Sequence, residues 1–198
     1  MGFAIRGLGL KKLARLGARL VCLDETGFLM TPVIRRTWSL RGLTPTLPLR
    51  SRSHEKVSGL GALVVSPRRR RITLYLALCP KENIRGPHVL RFLRHLTRHH
   101  RGPRVLLWDL GRPHRHRRVQ HYLEASSHWH PEWLPPYAPE LNPVEQVWTY
   151  LKYGRLSNFA PNEVQEIQRE VQKEARRLMR HPDLLKSFFR HSALPFHV

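Results

Sequence analysis

Val105-Leu106-Leu107-Trp108-Asp109 is a run of four large apolar residues that ends abruptly on a carboxylate, and Arg19-Leu20-Val21-Cys22-Leu23-Asp24 repeats the arrangement earlier in the chain. Apolar runs of this length without polar alternation fit strands covered on both faces, as in the parallel part of an α/β sheet. A carboxylate at the end of such a strand is costly to desolvate unless an arginine or a metal ion stands beside it. Taken singly, each acid is explained more simply by pairing with one of the many arginines.

Outward from these two strands, Gly27 is expected to break the first, and Ile34 to Leu40 reads as a second strand carrying Trp38. Pro45 and Pro48 then mark a loop. Residues 57–65 and 72–79 are apolar runs separated by Ser66-Pro67 and Arg68-Arg69-Arg70-Arg71, the pattern of a hairpin with a charged tip. Gly86-Pro87 introduces a helix in which Val89, Leu90, Leu93 and Leu96 recur with helical spacing, and Gly102-Pro103 closes it. Residues 114–124 predict a second helix with Val119, Tyr122 and Leu123 inward, followed by an extended segment from Trp129 to Leu134. After the turn-rich Pro135-Pro136-Tyr137-Ala138-Pro139, Asn142-Pro143 opens a helix with Val144, Val147, Trp148 and Leu151 on one face. A last helix begins near Asn162, with Val164, Ile167, Val171 and Leu178 as its stripe and Glu166–Arg169, Glu170–Lys173 and Glu174–Arg177 as surface pairs.

This order predicts an α/β fold: a mixed sheet in which an antiparallel meander continues into parallel strands, flanked by helices through right-handed crossovers. Trp38, Trp108 and Trp148 are expected in the core. Cys22 and Cys79, each inside an apolar run, read as two buried thiols of a reducing compartment.

Charge narrows the partners. The 198 residues carry 35 Lys and Arg against 14 Asp and Glu, a formal net charge of +21. An apolar share of 41% is enough for a core, so wholesale disorder is excluded. No run approaches the roughly 18 apolar residues of a membrane span, and the basic start of the chain lacks the apolar stretch of a secretory signal. Such a charge recruits polyanions, nucleic acid first among them. A membrane surface would instead favour one basic amphipathic helix or a polybasic tail, whereas here arginine is spread along the chain.

Among the acids, Glu145 joins Asp24 and Asp109 as the third candidate. In Asn142-Pro143-Val144-Glu145 the glutamate falls at the third helical position, where a capping box would satisfy it without any further role. A glutamate on a first helical turn can equally reach a site formed at the ends of neighbouring strands.

Here the residues resemble a known family. Leu23-Asp24-Glu25-Thr26-Gly27-Phe28 with Arg36-Thr37-Trp38-Ser39-Leu40-Arg41-Gly42 is similar to the first catalytic block of the mariner-related bacterial insertion-sequence transposases, which are DDE superfamily endonucleases. Val105 to His114 resembles their second block, and Leu134-Pro135-Pro136-Tyr137-Ala138-Pro139-Glu140-Leu141-Asn142-Pro143-Val144-Glu145-Gln146-Val147-Trp148 their third and most diagnostic. The resemblance implies a ribonuclease-H-like fold and a triad of Asp24, Asp109 and Glu145, both catalytic and metal-binding. It further implies two divalent ions (magnesium, with manganese as the alternative) that serve the cutting and joining of DNA strands, with TA as the preferred target. Hard oxygen ligands suit such ions. Phosphate or DNA contacts are assigned to Arg68, Arg69, Arg70, Arg71, His114 and Tyr137, although a solvated hairpin tip is the simpler reading of the four arginines.

Two departures stand out. Leu110 occupies the place where the family has Asn, which removes a polar neighbour of Asp109. Only 23 residues precede Asp24, too few for the helix-turn-helix modules of relatives. The expected organisation is a basic segment over 1–19, a catalytic domain over 20–160 and a helical extension over 161–198. The expected partners are double-stranded DNA at the element ends and the target, a separately encoded helix-turn-helix protein, and a second copy in a homodimer, with no membrane. The expected location is the cytoplasm of a bacterium, on the nucleoid. The rival reading is an inactive, truncated transposase remnant that only binds DNA. A ribonuclease or resolvase on the same scaffold is a third, since fold does not dictate substrate. The pairs His114/His116 and His128/His130 have zinc-compatible spacing, but no cysteine accompanies them.

Overall fold

Strand β1 (Arg19–Leu29) is the spine of a five-stranded sheet with the order β3-β2-β1-β4-β5. In this computed structural model, which describes residues 13, 15–47, 55–196 and 198, β1 pairs antiparallel with β2 (Lys56–Val65) and parallel with β4 (Arg104–Trp108). Strand β3 (Ile72–Pro80) lies antiparallel to β2, and β5 (Trp129–Trp133) parallel to β4. The mixed sheet expected from the order of elements is thus formed, with the Ser66 to Arg71 turn as the tip of the β2–β3 hairpin.

Alternation along β1 sorts the helices into two layers. Val21 and Leu23, with Leu106 and Trp108, face α1 (Gly86–His99) and α2 (Arg117–Glu124), which contribute Val89, Phe92, Leu93, Leu96, Val119 and Leu123. Leu20 and Cys22, with Val105 and Leu107, face α3 (Pro143–Thr149), α4 (Val164–Met179) and α5 (Pro182–His191). Burying each large aliphatic side chain contributes about 1.5–3 kcal/mol, so truncating Leu96, fully buried on α1, costs about 2–5 kcal/mol.

Several sequence expectations are corrected. Gly27 does not end β1: it stays extended, pairs with Ser58, and the strand runs on to Leu29. Ile34 to Leu40 is not a strand. The nearest ladder contact is the bridge Val33–Ser157, and Asn158 pins Arg35 by accepting from its N–H at 2.8 Å and donating to its carbonyl at 3.0 Å. With no sheet to lie on, Trp38 is 99% exposed rather than core, whereas Trp108 and Trp148 are buried as expected. Cys22 is buried and Cys79 only half-buried. Tyr122, on α2, is half-buried. Pro48 and residues 1–12 and 14 of the basic segment 1–19 lie outside the described residues. On α4, Lys173 pairs with Glu170 at 2.9 Å and Arg177 with Glu174 at 4.0 Å as expected, with buried Glu174 also taking Arg155 at 3.1 Å, but Glu166 accepts from the Asn162 N–H and Arg169 turns to Glu163. Helix α5, started by Pro182 at its first turn, is separate from α4 and was not expected.

Candidate active site

Asp24 sits at mid-strand on β1, opposite Gly61 of β2. The parallel register Cys22–Leu107 carries on to place Asp109, the residue after β4, level with Asp24. Both acids share the sheet face that Cys22 and Leu107 occupy, because each lies two positions further along its chain. That face is covered by α3. Asn142 caps this helix by accepting from the Val144 N–H at 3.2 Å, and its side-chain NH2 donates to the Leu23 carbonyl of β1 at 3.1 Å. One buried amide therefore fixes both the start of α3 and its place against β1. The reciprocal half of a capping box is absent: the Asn142 N–H donates to Pro139 instead, and the Glu145 side chain turns toward Asp24, within hydrogen-bonding reach of it. Asp24, Asp109 and Glu145 come together on one cleft of about 390 Å3, walled by Leu110, Gly111 and the Leu134 to Pro139 loop.

The three carboxyls are not equivalent. Asp24 is only 8% exposed, and burial first, then the neighbouring Glu145 charge, push its pKa well above the carboxylate range. A bond from the Trp148 indole N–H at 2.8 Å opposes this. Burial likewise raises Glu145, against the pull of Lys152. Asp109 goes the other way: its bond from His114, aided by the Gly111 N–H at 2.9 Å, holds it below the usual range. Two carboxyls pressed together and raised, beside a third kept ionised, form a centre of negative potential that a divalent cation would relieve.

Trp148 reaches Asp24 because Gly61 leaves space. A Cβ on Gly61 would stand 2.5 Å from the indole ring, so only glycine fits opposite Asp24. Phe28 closes the other side of the indole, edge-on at 6.1 Å between centroids. Beyond α3 the chain widens into a π-helical turn over Tyr150–Arg155. Lys152 on that turn shares the field of Glu145 and Asp24 but lines the neighbouring hollow beside Phe28 and Tyr153 rather than the cleft itself.

Behind the cleft lies an ion-paired histidine. Glu25, one residue after Asp24, points to the opposite sheet face. There His114 is fully buried, stacked on Trp108 at 4.3 Å, with Nε2 at 2.6 Å from Glu25 Oε1 and Nδ1 at 2.8 Å from Asp109 Oδ1. Burial alone would lower its pKa; the bonds to Asp109 and Glu25 overcome that and raise it to about 10. The ring is an imidazolium at neutral pH. Glu25, Asp109 and His114 place ligand atoms close enough for a metal ion, but with both ring nitrogens on carboxylates an ion would first have to displace their protons. The ring leaves no atom for a phosphate: His114 positions Asp109.

Of the other expected contact residues, Tyr137 stands fully exposed on the cleft rim, its left-handed backbone (φ 57°) turning the ring outward. Arg68 to Arg71 lie at the far end of the sheet, beyond the Leu20–Val65 pair, with Arg69 over the Phe196 ring at 4.5 Å. They do not join the cleft. His116 caps α2 and is apart from His114 in role, accepting from the Arg118 N–H at 3.2 Å. Sequence reasoning passed over three contributors. Glu25 and the polar end of Trp148 gave no signal beyond their adjacency to the candidate acids. Lys152 follows Glu145 by two helical turns, a spacing that places both on one face.

Residues 19–168 match the family model described as DDE superfamily endonuclease. The chain belongs to this family. The DDE superfamily fold is seen again in solved structures: the catalytic domain of Mos1 mariner transposase matches 95% of this chain and 91% of that one, at 14% identity and a TM-score of 0.54. A Mos1 paired-end complex with the left transposon end matches 91% of this chain at 17% identity and a TM-score of 0.59, and another described with Mn matches 95% at 0.58. This chain spans about 59% of the length of the Mos1 transposase in the first complex. The sheet order and flanking helices of this DDE domain are thus ribonuclease-H-like. No curated protein sequence matches it. Among the described residues no helix is long and apolar enough to cross a membrane.

Proposed function

We propose that this chain is the catalytic domain of a transposase that cuts double-stranded DNA and joins the freed strand to a new site, with Asp24, Asp109 and Glu145 as its metal-holding catalytic triad. The observation that carries this reading is the meeting of the three carboxyls in one cleft, two of them raised in pKa by burial and by negative neighbours. Asp24, Asp109 and Glu145 would together hold the two divalent ions, magnesium or manganese, that this chemistry uses. Ions held there would supply charge stabilisation to both the entering and the leaving oxygen of a phosphoryl transfer.

The chain's own residues do the positioning. Trp148 holds Asp24 by its Oδ2, and His114 with the Gly111 N–H keeps Asp109 ionised and oriented. Because those two donors already serve Asp109, Leu110 does not leave its carboxylate without partners. Tyr137, exposed beside the cleft, is placed to touch a DNA strand lying across it. Water attacks a phosphodiester first, breaking its P–O3′ bond to free a 3′-hydroxyl and leave a 5′-phosphate, and that hydroxyl then attacks a target phosphodiester, preferably at TA, displacing the target's own 3′-hydroxyl. End recognition by a helix-turn-helix partner, and pairing of two ends by a homodimer, complete the proposal.

The test is nicking of a supercoiled plasmid in magnesium by the wild type and by Asp109→Asn. The reading requires nicking by the wild type and a loss of at least 100-fold in the variant. Equal nicking by both contradicts it, and nicking by neither, with DNA binding intact, supports the remnant.

A further inference from the structure

The α1–α2 face of the sheet carries a second feature, away from the triad. Arg91, Arg94 and Arg98 project from α1, and Arg118 and Tyr122 from α2, to line an open groove of about 760 Å3 that also includes Pro87, Leu90 and Thr97. The groove continues past Arg117 and His121. All five arginines are exposed, and among the described residues none of them forms a salt bridge. No acid lines either part.

This concentration of unpaired positive charge is held rigid. The Tyr122 hydroxyl and Thr97 Oγ1 are 2.8 Å apart, bolting α2 to α1, and the Arg94 guanidinium lies 5.8 Å above the Tyr122 ring. Gly86 at the start of α1 lies so close to His116 that a Cβ there would collide with it, so the two helix starts are locked together. From Arg91 to Arg98 the helix rises about 10 Å, close to the rise of three nucleotides along one DNA strand.

Topology ties the groove to the cleft. Strands β3 and β4 run parallel to β1, so α1 and α2, which follow them, both begin at the C-terminal end of these strands, the end toward which Asp24 and Asp109 lie. Exposed Arg112 and Arg115, on the loop between Asp109 and α2, bridge the interval. We propose that the α1–α2 groove is a second DNA site, gripping the phosphate backbone of a duplex that passes from the cleft over this loop. The proposal rests on the DNA reading above and adds where the duplex goes. A lipid surface is disfavoured, since no large exposed apolar side chain lies on either helix.

The test is fluorescence anisotropy with a labelled duplex of about 40 base pairs, titrated from about 50 to about 200 mM salt. It compares wild type with the triple variant Arg91→Ala/Arg94→Ala/Arg118→Ala. A charge-matched control, Arg176→Ala/Arg180→Ala/Arg190→Ala, removes exposed arginines from α4, its C-cap and α5. Each arginine that no longer neutralises a phosphate flattens the slope of log affinity against log salt by about 0.9. The groove variant should therefore be shallower by about 2.7, losing about 40-fold less affinity than wild type across that range. The control should keep the wild-type slope. If the groove variant keeps the wild-type slope, or the control loses as much, the groove is not a DNA site although the chain binds DNA. If wild type itself binds no duplex, the groove site and the DNA reading fall together.

Discussion

The Trp148 indole N–H donates to Asp24 Oδ2 at 2.8 Å, making a buried aromatic on α3 the orienting partner of a buried carboxylate on β1. The bond holds down a charge that burial and Glu145 both oppose. Trp148→Phe keeps most of the ring and removes the donor. Losing such an outer partner should weaken divalent-ion binding about 10- to 100-fold while the protein stays folded. Titration of magnesium by calorimetry measures this, and unchanged affinity would show that the indole serves packing alone.

Gly61 and Trp148 should behave as one unit. Gly61→Ala pushes a methyl into the indole, an overpacking that costs about 1–3 kcal/mol. In a Trp148→Phe background the smaller ring should relieve most of that cost, so the two substitutions are non-additive in chemical denaturation. Simple additivity would contradict the close approach.

Asp24→Asn should stabilise the metal-free protein at neutral pH while abolishing strand cleavage. The sign follows from the raised pKa: the native state binds a proton more readily than the unfolded chain, so Asp24 carries a native-state cost that is absent below the ordinary carboxylate pKa and grows until pH has risen through the folded value. The amide removes that charge at every pH. A melting temperature above wild type without metal, together with loss of the magnesium-induced increase, is the expected pair of results. A lower melting temperature for the variant would mean the carboxylate is already neutralised within the fold.

His114 shifts stability with pH in the same direction, but here the charged form is the favourable one. Its folded pKa of about 10 exceeds the ordinary value, so its contribution is complete below about pH 6.5 and lost as pH rises through 10. Urea unfolding should show wild type losing stability between pH 7 and pH 10.5, a loss that His114→Gln does not share. Removing the buried cation leaves Glu25 without this partner, and at neutral pH the variant should be about 3–5 kcal/mol less stable.

Much of this architecture was legible in the chain, for reasons particular residues make clear. The apolar runs before Asp24 and Asp109 announced two fully covered strands because a strand buried on both faces cannot alternate. The hairpin around Arg68 to Arg71 and the α1 stripe followed from turn residues and periodicity. Ile34 to Leu40 misled because its apolar residues fit a strand but have no neighbouring edge to pair with; propensity cannot supply a partner. The meeting of Asp24, Asp109 and Glu145 was expected from the resemblance, not from spacing. The Glu25–His114–Asp109 bridge was hidden because it spans the two sheet faces and joins β1 to a loop 89 residues away. Gly61 gave no sign of its role, since its meaning lies in the indole that occupies its missing side chain.

The most direct test of the metal centre is a crystal soaked in manganese and measured for anomalous scattering. The account predicts signal in the cleft with Asp24, Asp109 and Glu145 oxygens about 2.0–2.2 Å from the ions, and none at His114. A peak ligated by Glu25 and a deprotonated His114 instead, with Asp24 and Glu145 left bare, would contradict it.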